Sequence, residues 1–391
     1  MLKIVHINTF CTGGAAKAAI RVCDCLLKSG EDSKTLVLYK TFNSDLLTDF
    51  RKELSPVKNL HLKIKNRNYT DILRWKNRKK IELFSVYNSV WDVAQHSYVK
   101  DADIVNLHWV AGFVDFESFF KQVNKKIVIT LHDFFPFSGG PHYPNEYFES
   151  DKWQAEIKKN LTLLKKVYAN KEIHFVGPSQ YILDGVKQSA VANKAGYHLI
   201  KSPVDTGIYK KLDREEIRKQ YGLTPNDKVL LYVNENFKYK RKGFSLFKPM
   251  VRPLLAKGYK IIIVGDHTSK LDGNDNIIQT KYLATEKELA RAYNAADALL
   301  FTSVLDNLPN TISESLCCGT PVISFNNGGI GEMICEGKNG VLVSQNNRGE
   351  FLKKIDQLFT LSLDREEILR EAQMVYAYEA AAQKYLSVYN G

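Results

Sequence analysis

The chain has 391 residues, 44% of them apolar, with 55 Lys and Arg against 43 Asp and Glu, a formal charge of +12. That length suits two domains, and the apolar share is ordinary for a globular protein. No run approaches the ~18 apolar residues of a membrane span, and MLKIVHINTF reads as a first strand rather than a secretory signal. Cys11, Cys23, Cys25, Cys317, Cys318 and Cys335 show no CxxC or zinc spacing, so reduced thiols in the cytoplasm are expected. The basic excess fits anionic partners: nucleic acid, phosphorylated substrates or an anionic membrane surface.

In chain order, Lys3 to Asn8 reads as a buried parallel strand, Thr9 to Gly14 as a loop, and Ala15 to Ser29 as a helix ended by Gly30. Thr35 to Tyr39 is the next strand, so the opening is βαβ and favours a doubly wound parallel sheet. Gly13 and Gly14 could let backbone approach a phosphate at a helix N-terminus, or simply make a tight turn. Val57 to Lys80 interleaves nine Lys and Arg with Leu60, Leu62, Ile64, Ile72, Leu73 and Trp75. It reads either as a basic amphipathic segment for an anionic membrane or acceptor, or as a solvated insertion. Asp103 to Leu107 and Ile127 to Leu131 are strands ending in His108-Trp109 and His132-Asp133. The aromatic loop Phe134 to Tyr147 follows, of a kind that often shapes a pocket. Trp153 to Tyr168 is a second basic amphipathic helix, and Ile173 to Val176 another strand.

Ser202 to Leu212, with Pro, Gly and Asp, marks a domain boundary. A second series follows: a strand Lys228 to Asn234, a basic loop with Lys238, Lys240, Arg241 and Lys242, and a helix Phe244 to Lys257 that Pro249 and Pro253 bend or interrupt. Strands Lys260 to Val264 and Ile277 to Tyr282 precede a helix, Thr285 to Ala295, with a Thr285/Glu288 capping box. Asp297 to Val343 holds the apolar strands Ala298 to Phe301 and Pro321 to Phe325, each followed by a loop and a short helix. Asp306 and Glu314 flank the first of those turns and Gly328-Gly329 the second. Helices Gly349 to Leu361 and Arg365 to Tyr389 close the chain. The domains are then 1–203, completed by a C-terminal helix at about 375–391, and 204–374.

Lys242 and Arg241 with helix N–H groups make a site for a diphosphate. Glu314 can accept from ribose hydroxyls and Asp306 from a second polyol, which together describe a nucleotide sugar. The stretch SVLDNLPNTISESLCCGTPV, Ser303 to Val322, resembles the signature of retaining glycosyltransferases of family 4. The two acids have seven residues between them and Gly319-Thr320-Pro321-Val322 completes the pattern. Thr12-Gly13-Gly14-Ala15 and Leu131 to Tyr143 are similar to loops of the bacterial polysaccharide and capsule branch, and the likeness covers most of the chain.

That resemblance implies the α/β GT-B fold, two Rossmann-like doubly wound domains facing each other across a cleft. It implies transfer from a UDP- or GDP-sugar to a glycan or polyprenyl-linked acceptor in surface polysaccharide synthesis, with retention of configuration and no metal or other cofactor. It would put His132, Asp306 and Lys242 at the chemistry, Glu314 on the ribose, and the base near Tyr282 and Leu283. Arg241, Asn307, Leu308, Pro309, Asn310, Gly328 and Gly329 would complete the donor site, with Gly13 and Gly14 on the phosphate or acceptor side. Where many members carry a diphosphate-binding arginine this chain has Asn236, so either Arg241 substitutes or the diphosphate is held more loosely. A cytoplasmic location is expected, with peripheral contact to the inner membrane face through Val57–Lys80 and Trp153–Tyr168. An epimerase or phosphorylase of the same fold is the nearest rival. A nucleic-acid binder is less favoured, because no recognised motif accompanies the charge.

Overall fold

The computed structural model describes residues 1–77, 83–143, 151–192, 196–235, 237, 239–265, 274–280, 283 and 285–391. They divide into two compact units, Met1–Pro203 with Ala381–Gly391, and Val204–Ala380. The first unit carries strands β1 (Lys3–Phe10), β2 (Asp32–Tyr39), β3 (Leu47–Asp49), β4 (Ile104–Leu107), β5 (Lys126–Thr130), β6 (Ile173–Gly177) and β7 (Gly196–Leu199). They form one sheet in the order β3-β2-β1-β4-β5-β6-β7, and every neighbouring pair is parallel. The second unit carries β8 (Val229–Asn234), β9 (Lys260–Gly265), β10 (Ile277–Thr280), β11 (Ala298–Phe301), β12 (Val322–Phe325) and β13 (Gly340–Val343). Its sheet runs β10-β9-β8-β11-β12-β13, again all parallel.

The apolar runs explain both sheets. A parallel strand covered on both faces needs apolar residues at every position, and all of Ala298–Phe301 and Val322–Phe325 is buried. Alternate residues then serve opposite layers. Leu231, Ile262, Val264 and Leu299 face one core with Ala290, Tyr293, Ile312, Leu316 and Ile368. Leu230, Tyr232, Ile261, Ile263 and Leu300 face another with Phe247, Met250, Phe351 and Ile355. In each sheet the chain starts at an inner strand, moves out one way, returns and moves out the other. The order reverses between β1 and β4 and between β8 and β11. At such a point the connections leave in opposite directions and open a crevice at the strands' carboxyl ends.

Several elements differ from the sequence reading. Of the two outcomes open at Pro249 and Pro253, interruption does not occur: the helix Phe244–Ala256 runs through both. Both prolines are exposed, so the backbone carbonyls they leave without donors lie on the water side while Phe247, Met250, Val251 and Leu254 stay buried. The final helix is broken at Ala377, whose ψ is 153°, into Arg365–Tyr376 and Tyr378–Asn390. The Tyr376 carbonyl accepts from Val204 N–H at 2.8 Å instead of from a following turn. The last piece packs on the first sheet. There Tyr389 Oη accepts from Asn106 at 2.8 Å, and Tyr385 Oη lies 3.3 Å from Thr130 Oγ1. The short strands β3 and β7 were not foreseen.

The basic stretch at 57–80 is helical over Pro56–Asn77, and positions 78–80 lie outside the described residues. Leu62 packs on the first core and Asn66 donates to Tyr39 Oη at 3.2 Å, while Val57, Leu60 and Ile64 are exposed. The second basic helix, Asp151–Tyr168, instead buries its apolar face: Trp153 packs against Phe84 with ring centroids 4.4 Å apart and planes tilted by 43°, and Leu164 and Tyr168 join the core.

Candidate active site

The loops after β8 and β11 meet at the switch point of the second sheet. Lys240–Lys242 form one turn of 3-10 helix, and Gly243 follows at φ +71°. A Cβ there would stand 1.7 Å from the Thr302 carbonyl oxygen, so only glycine fits. Thr302 Oγ1 donates to Gly243 O at 2.9 Å, Ser303 Oγ to Arg241 O at 3.0 Å, and Val304 N–H to Arg241 O at 2.8 Å. This lacing brings three charges together. Lys242 Nζ donates to Asp306 Oδ2 at 2.7 Å, and Arg241 Nη1 donates to Leu305 O at 2.8 Å and lies 3.4 Å from Asp306 Oδ2. Burial pushes the Asp306 carboxyl up, but Lys242, Arg241 and the Asn307 N–H outweigh it and hold the pKa below the usual carboxylate range.

Gly328 and Gly329 close on the same loop. A Cβ on Gly328, at φ +57°, would lie 2.2 Å from the Asp306 carbonyl oxygen, and that oxygen accepts from Gly329 N–H at 3.0 Å. The helix expected after them is a three-residue 3-10 turn, Ile330–Glu332, too short to gather a row of free N–H groups.

Asn307, Leu308 and Pro309 lead into the helix Asn310–Cys317, with Leu308 packed in the core. Glu314 lies inward on that helix, 1% exposed, and its Oε2 accepts from Tyr293 Oη at 3.1 Å. Burial, and then the Glu314 carboxylate, push the Tyr293 hydroxyl well above its usual range, so it remains a donor. Thr320 Oγ1 donates to Tyr293 O at 2.8 Å and accepts from Arg365 at 2.7 Å. Gly319, at φ +70°, would drive a Cβ to 2.5 Å from Arg365 O. The Gly-Thr segment therefore props the helix that carries Glu314. Leu283 packs against the same core, while Tyr282 and Asn236 lie outside the described residues.

In the first unit Gly13, at φ +91°, caps the fifteen-residue helix that begins at Gly14, with open space where a Cβ would stand. His132 follows β5, and its Nε2 shares a hydrogen bond with His108 Nδ1 at 3.0 Å. Asp133 Oδ2 accepts from Trp109 Nε1 at 2.8 Å and from His142 Nδ1 at 2.6 Å, and its Oδ1 accepts from Phe135 N–H at 2.9 Å. His142 Nε2 lies 2.9 Å from Ser85 Oγ. Burial raises the Asp133 carboxyl, but His142 and the N–H donors hold it below the usual range. The aromatic loop is a buried plug over residues 133–143 rather than an open wall. Gly140 has no room for a Cβ, which would lie 2.4 Å from the Phe84 ring. Sequence reading covered His108, His142 and Ser303 without giving them a role in the site, and did not single out Tyr293 or His6. Only the pairing of β4 with both β1 and β5 makes the first-unit residues neighbours.

Among the described residues no cluster of three or more His, Cys, Asp or Glu side chains could hold a metal ion. Comparison with known proteins bears on the whole frame. Residues 213–375 match the family model described as Glycosyl transferases group 1. The solved sucrose-phosphate synthase of Thermosynechococcus elongatus superposes with a TM-score of 0.71 at 15% identity, over 100% of this chain and 98% of that one. The fold is GT-B.

The Anabaena HepE structure in complex with UDP-glucose superposes at 0.66, with 14% identity and full coverage of both chains. Among curated proteins, the N-acetyl-alpha-D-glucosaminyl L-malate synthase of Bacillus anthracis is 23% identical over 207 residues, 46% of this chain and 52% of that protein. The chain thus spans about half the length of the curated relatives it matches. This GT-B chain places its acid motif inside the matched segment and its histidine loop outside it.

Proposed function

We propose that the chain is a retaining, metal-independent family 4 glycosyltransferase that moves a hexose from a UDP- or GDP-sugar to a glycan or polyprenyl-linked acceptor in surface polysaccharide synthesis. The observation that carries this reading is the Lys242–Asp306–Arg241 cluster at the switch point of the second sheet. Departure of a nucleoside diphosphate puts negative charge on phosphate and positive charge on the sugar ring. Lys242 and Arg241 answer the first charge. With a diphosphate sharing those cations, the Asp306 carboxylate becomes available to the sugar hydroxyls. These groups are held before the ligand arrives, so little reorganisation is needed as charge develops. Glu314, fixed by Tyr293, meets the ribose. His132 meets the transferred sugar, and Gly13 and Gly14 the phosphate or acceptor. The HepE complex with UDP-glucose supports a nucleotide-sugar donor for this fold.

Peripheral contact with an anionic membrane goes with this reading. The exposed Val57, Leu60 and Ile64 among basic residues support it for the helix Pro56–Asn77, whereas the helix Asp151–Tyr168 has only its basic face to offer. Co-sedimentation with anionic vesicles, reduced in Leu60→Glu, checks that contact.

The function is tested by supplying nucleotide sugars with and without lipid-linked glycans. Release of nucleoside diphosphate only with acceptor, and a product that keeps the donor's anomeric configuration, are expected. Epimerised nucleotide sugar or free sugar phosphate would replace the transferase reading with its rivals.

A further inference from the structure

Three imidazoles form a line across adjacent strands of the first sheet. His6 lies in β1, His108 directly follows β4, and His132 follows β5. His6 Nδ1 and His108 Nε2 are 2.9 Å apart, and His108 Nδ1 and His132 Nε2 are 3.0 Å apart. The rings lie with centroids 5.1 Å and 5.2 Å apart. The line runs from full burial at His6, through His108 at 2% exposure, to a partly exposed His132. Burial lowers all three: His6 to about 3, His108 well below the ordinary value, and His132 to about 4 despite the Asp133 carboxylate. All three rings are therefore neutral near pH 7.

A neutral imidazole carries one N–H and one bare nitrogen. Each contact needs one of each, so the three protons must point the same way along the line, and only two arrangements exist. In one, His6 carries its proton on Nε2, where no described group lies within hydrogen-bonding reach. An orphaned buried N–H is among the rarest defects of folded proteins. In the other, His6 Nδ1–H donates to His108, His108 Nδ1–H donates to His132, and the His132 proton sits on Nδ1.

We propose that His6 and His108 are positioning residues that fix the orientation and tautomer of His132, a neutral imidazole protonated on Nδ1. The effect on transfer rests on the transferase reading; the tautomer does not. The line ends at a buried nitrogen, so it has no outlet to pass protons to water. Its effect is to orient one ring and to keep it uncharged.

Nitrogen-15 NMR of histidine-labelled protein near pH 7 tests the tautomer without any substitution. Protonated Nδ1 and bare Nε2 are expected for His132; a proton on Nε2, or an imidazolium, overturns the proposal. Two variants test the origin of the order. His6→Leu removes the donor, so His132 should become a tautomeric mixture. His6→Asn keeps an N–H near the Nδ1 position and should restore the single form. Unchanged His132 signals in His6→Leu would overturn the role of His6. In transfer assays His6→Leu should lose about tenfold in kcat with donor KM unchanged, and His6→Asn should recover most of it. An equal loss in both variants, accompanied by a lowered melting temperature, would reduce His6 to a packing residue. If the expected tautomer is seen and no nucleotide sugar is turned over, the functional reading fails and the positioning stands.

Discussion

The two sheets follow the same plan and finish their carboxyl edges in opposite ways. At the second switch point the chain gathers full charges, Lys242, Arg241 and Asp306, and balances them against one another. At the first it gathers histidines and keeps them neutral through burial. Eight of the nine histidines of the chain precede Pro203. The contrast teaches that a shared topology fixes where a site lies and leaves its electrostatics to a few residues after each strand. A charged edge suits a diphosphate, while a neutral one offers hydrogen bonds without charge.

The sharpest way to break the comparison is to discharge one edge. Lys242→Ala should lower kcat by roughly 10²–10³-fold, as removal of a preorganised group facing developing charge does. Glu314→Ala should abolish transfer through the donor, and both variants should keep their far-ultraviolet circular dichroism. Wild-type turnover by either would remove the charged edge from the mechanism.

Backbone fit is the next level. Gly243→Ala sets a Cβ into the Thr302 carbonyl at positive φ, and about 3 kcal/mol of stability should be lost in urea unfolding. Gly13→Ala meets positive φ and open space, so about 1 kcal/mol is expected. Equal losses would mean that the two glycine turns are equally tight.

Acid should separate the units more gently. A buried histidine binds its proton more readily once unfolded. Its contribution to stability is therefore present above its unfolded value of ~6.5 and is lost as pH falls toward its folded one. His6 and His132, with folded values of about 3 and about 4, place that loss in the first unit between pH ~6.5 and about 3. His96 and His198, also lowered by burial, add to it. Asp306 has the opposite chemistry and the same sign: its depressed pKa stabilises above ~3.9 and the benefit disappears below. Amide exchange corrected for intrinsic rates should show the first unit loosening by pH 5 while the second stays protected. Simultaneous loss would contradict the assignment. The smallest effect expected is none: EDTA should leave transfer unchanged.

Much of this was legible in the sequence where one element carries its own signal. Ala298–Phe301 is an apolar run that suggests a buried strand and is one, and Thr285 with Glu288 does form a capping box. The likeness of Ser303 to Val322 marked Asp306 and Glu314 directly. What stayed hidden was set by pairing between distant segments. His6 and His108 are 102 residues apart and become neighbours only because β4 pairs with β1. Tyr293 meets Glu314 because two helices pack, and no periodicity announces that. The break at Ala377 was illegible for the same reason: the competing donor, Val204, lies far away in the chain. At Pro249 and Pro253 a bend or a break was open, and the helix is not broken: both prolines lie on the face that water covers.

The chain leaves the first unit after Pro203 and re-enters it at Ala381. The first sheet is therefore completed by a segment that follows the second unit. During synthesis that sheet waits, without Tyr385 and Tyr389 against β4 and β5, until the second unit has been made. A stop codon shortly after Ala377 would spare the second unit and strip the first of that cover. A frameshift just past Ala377 would show itself in the unit encoded first.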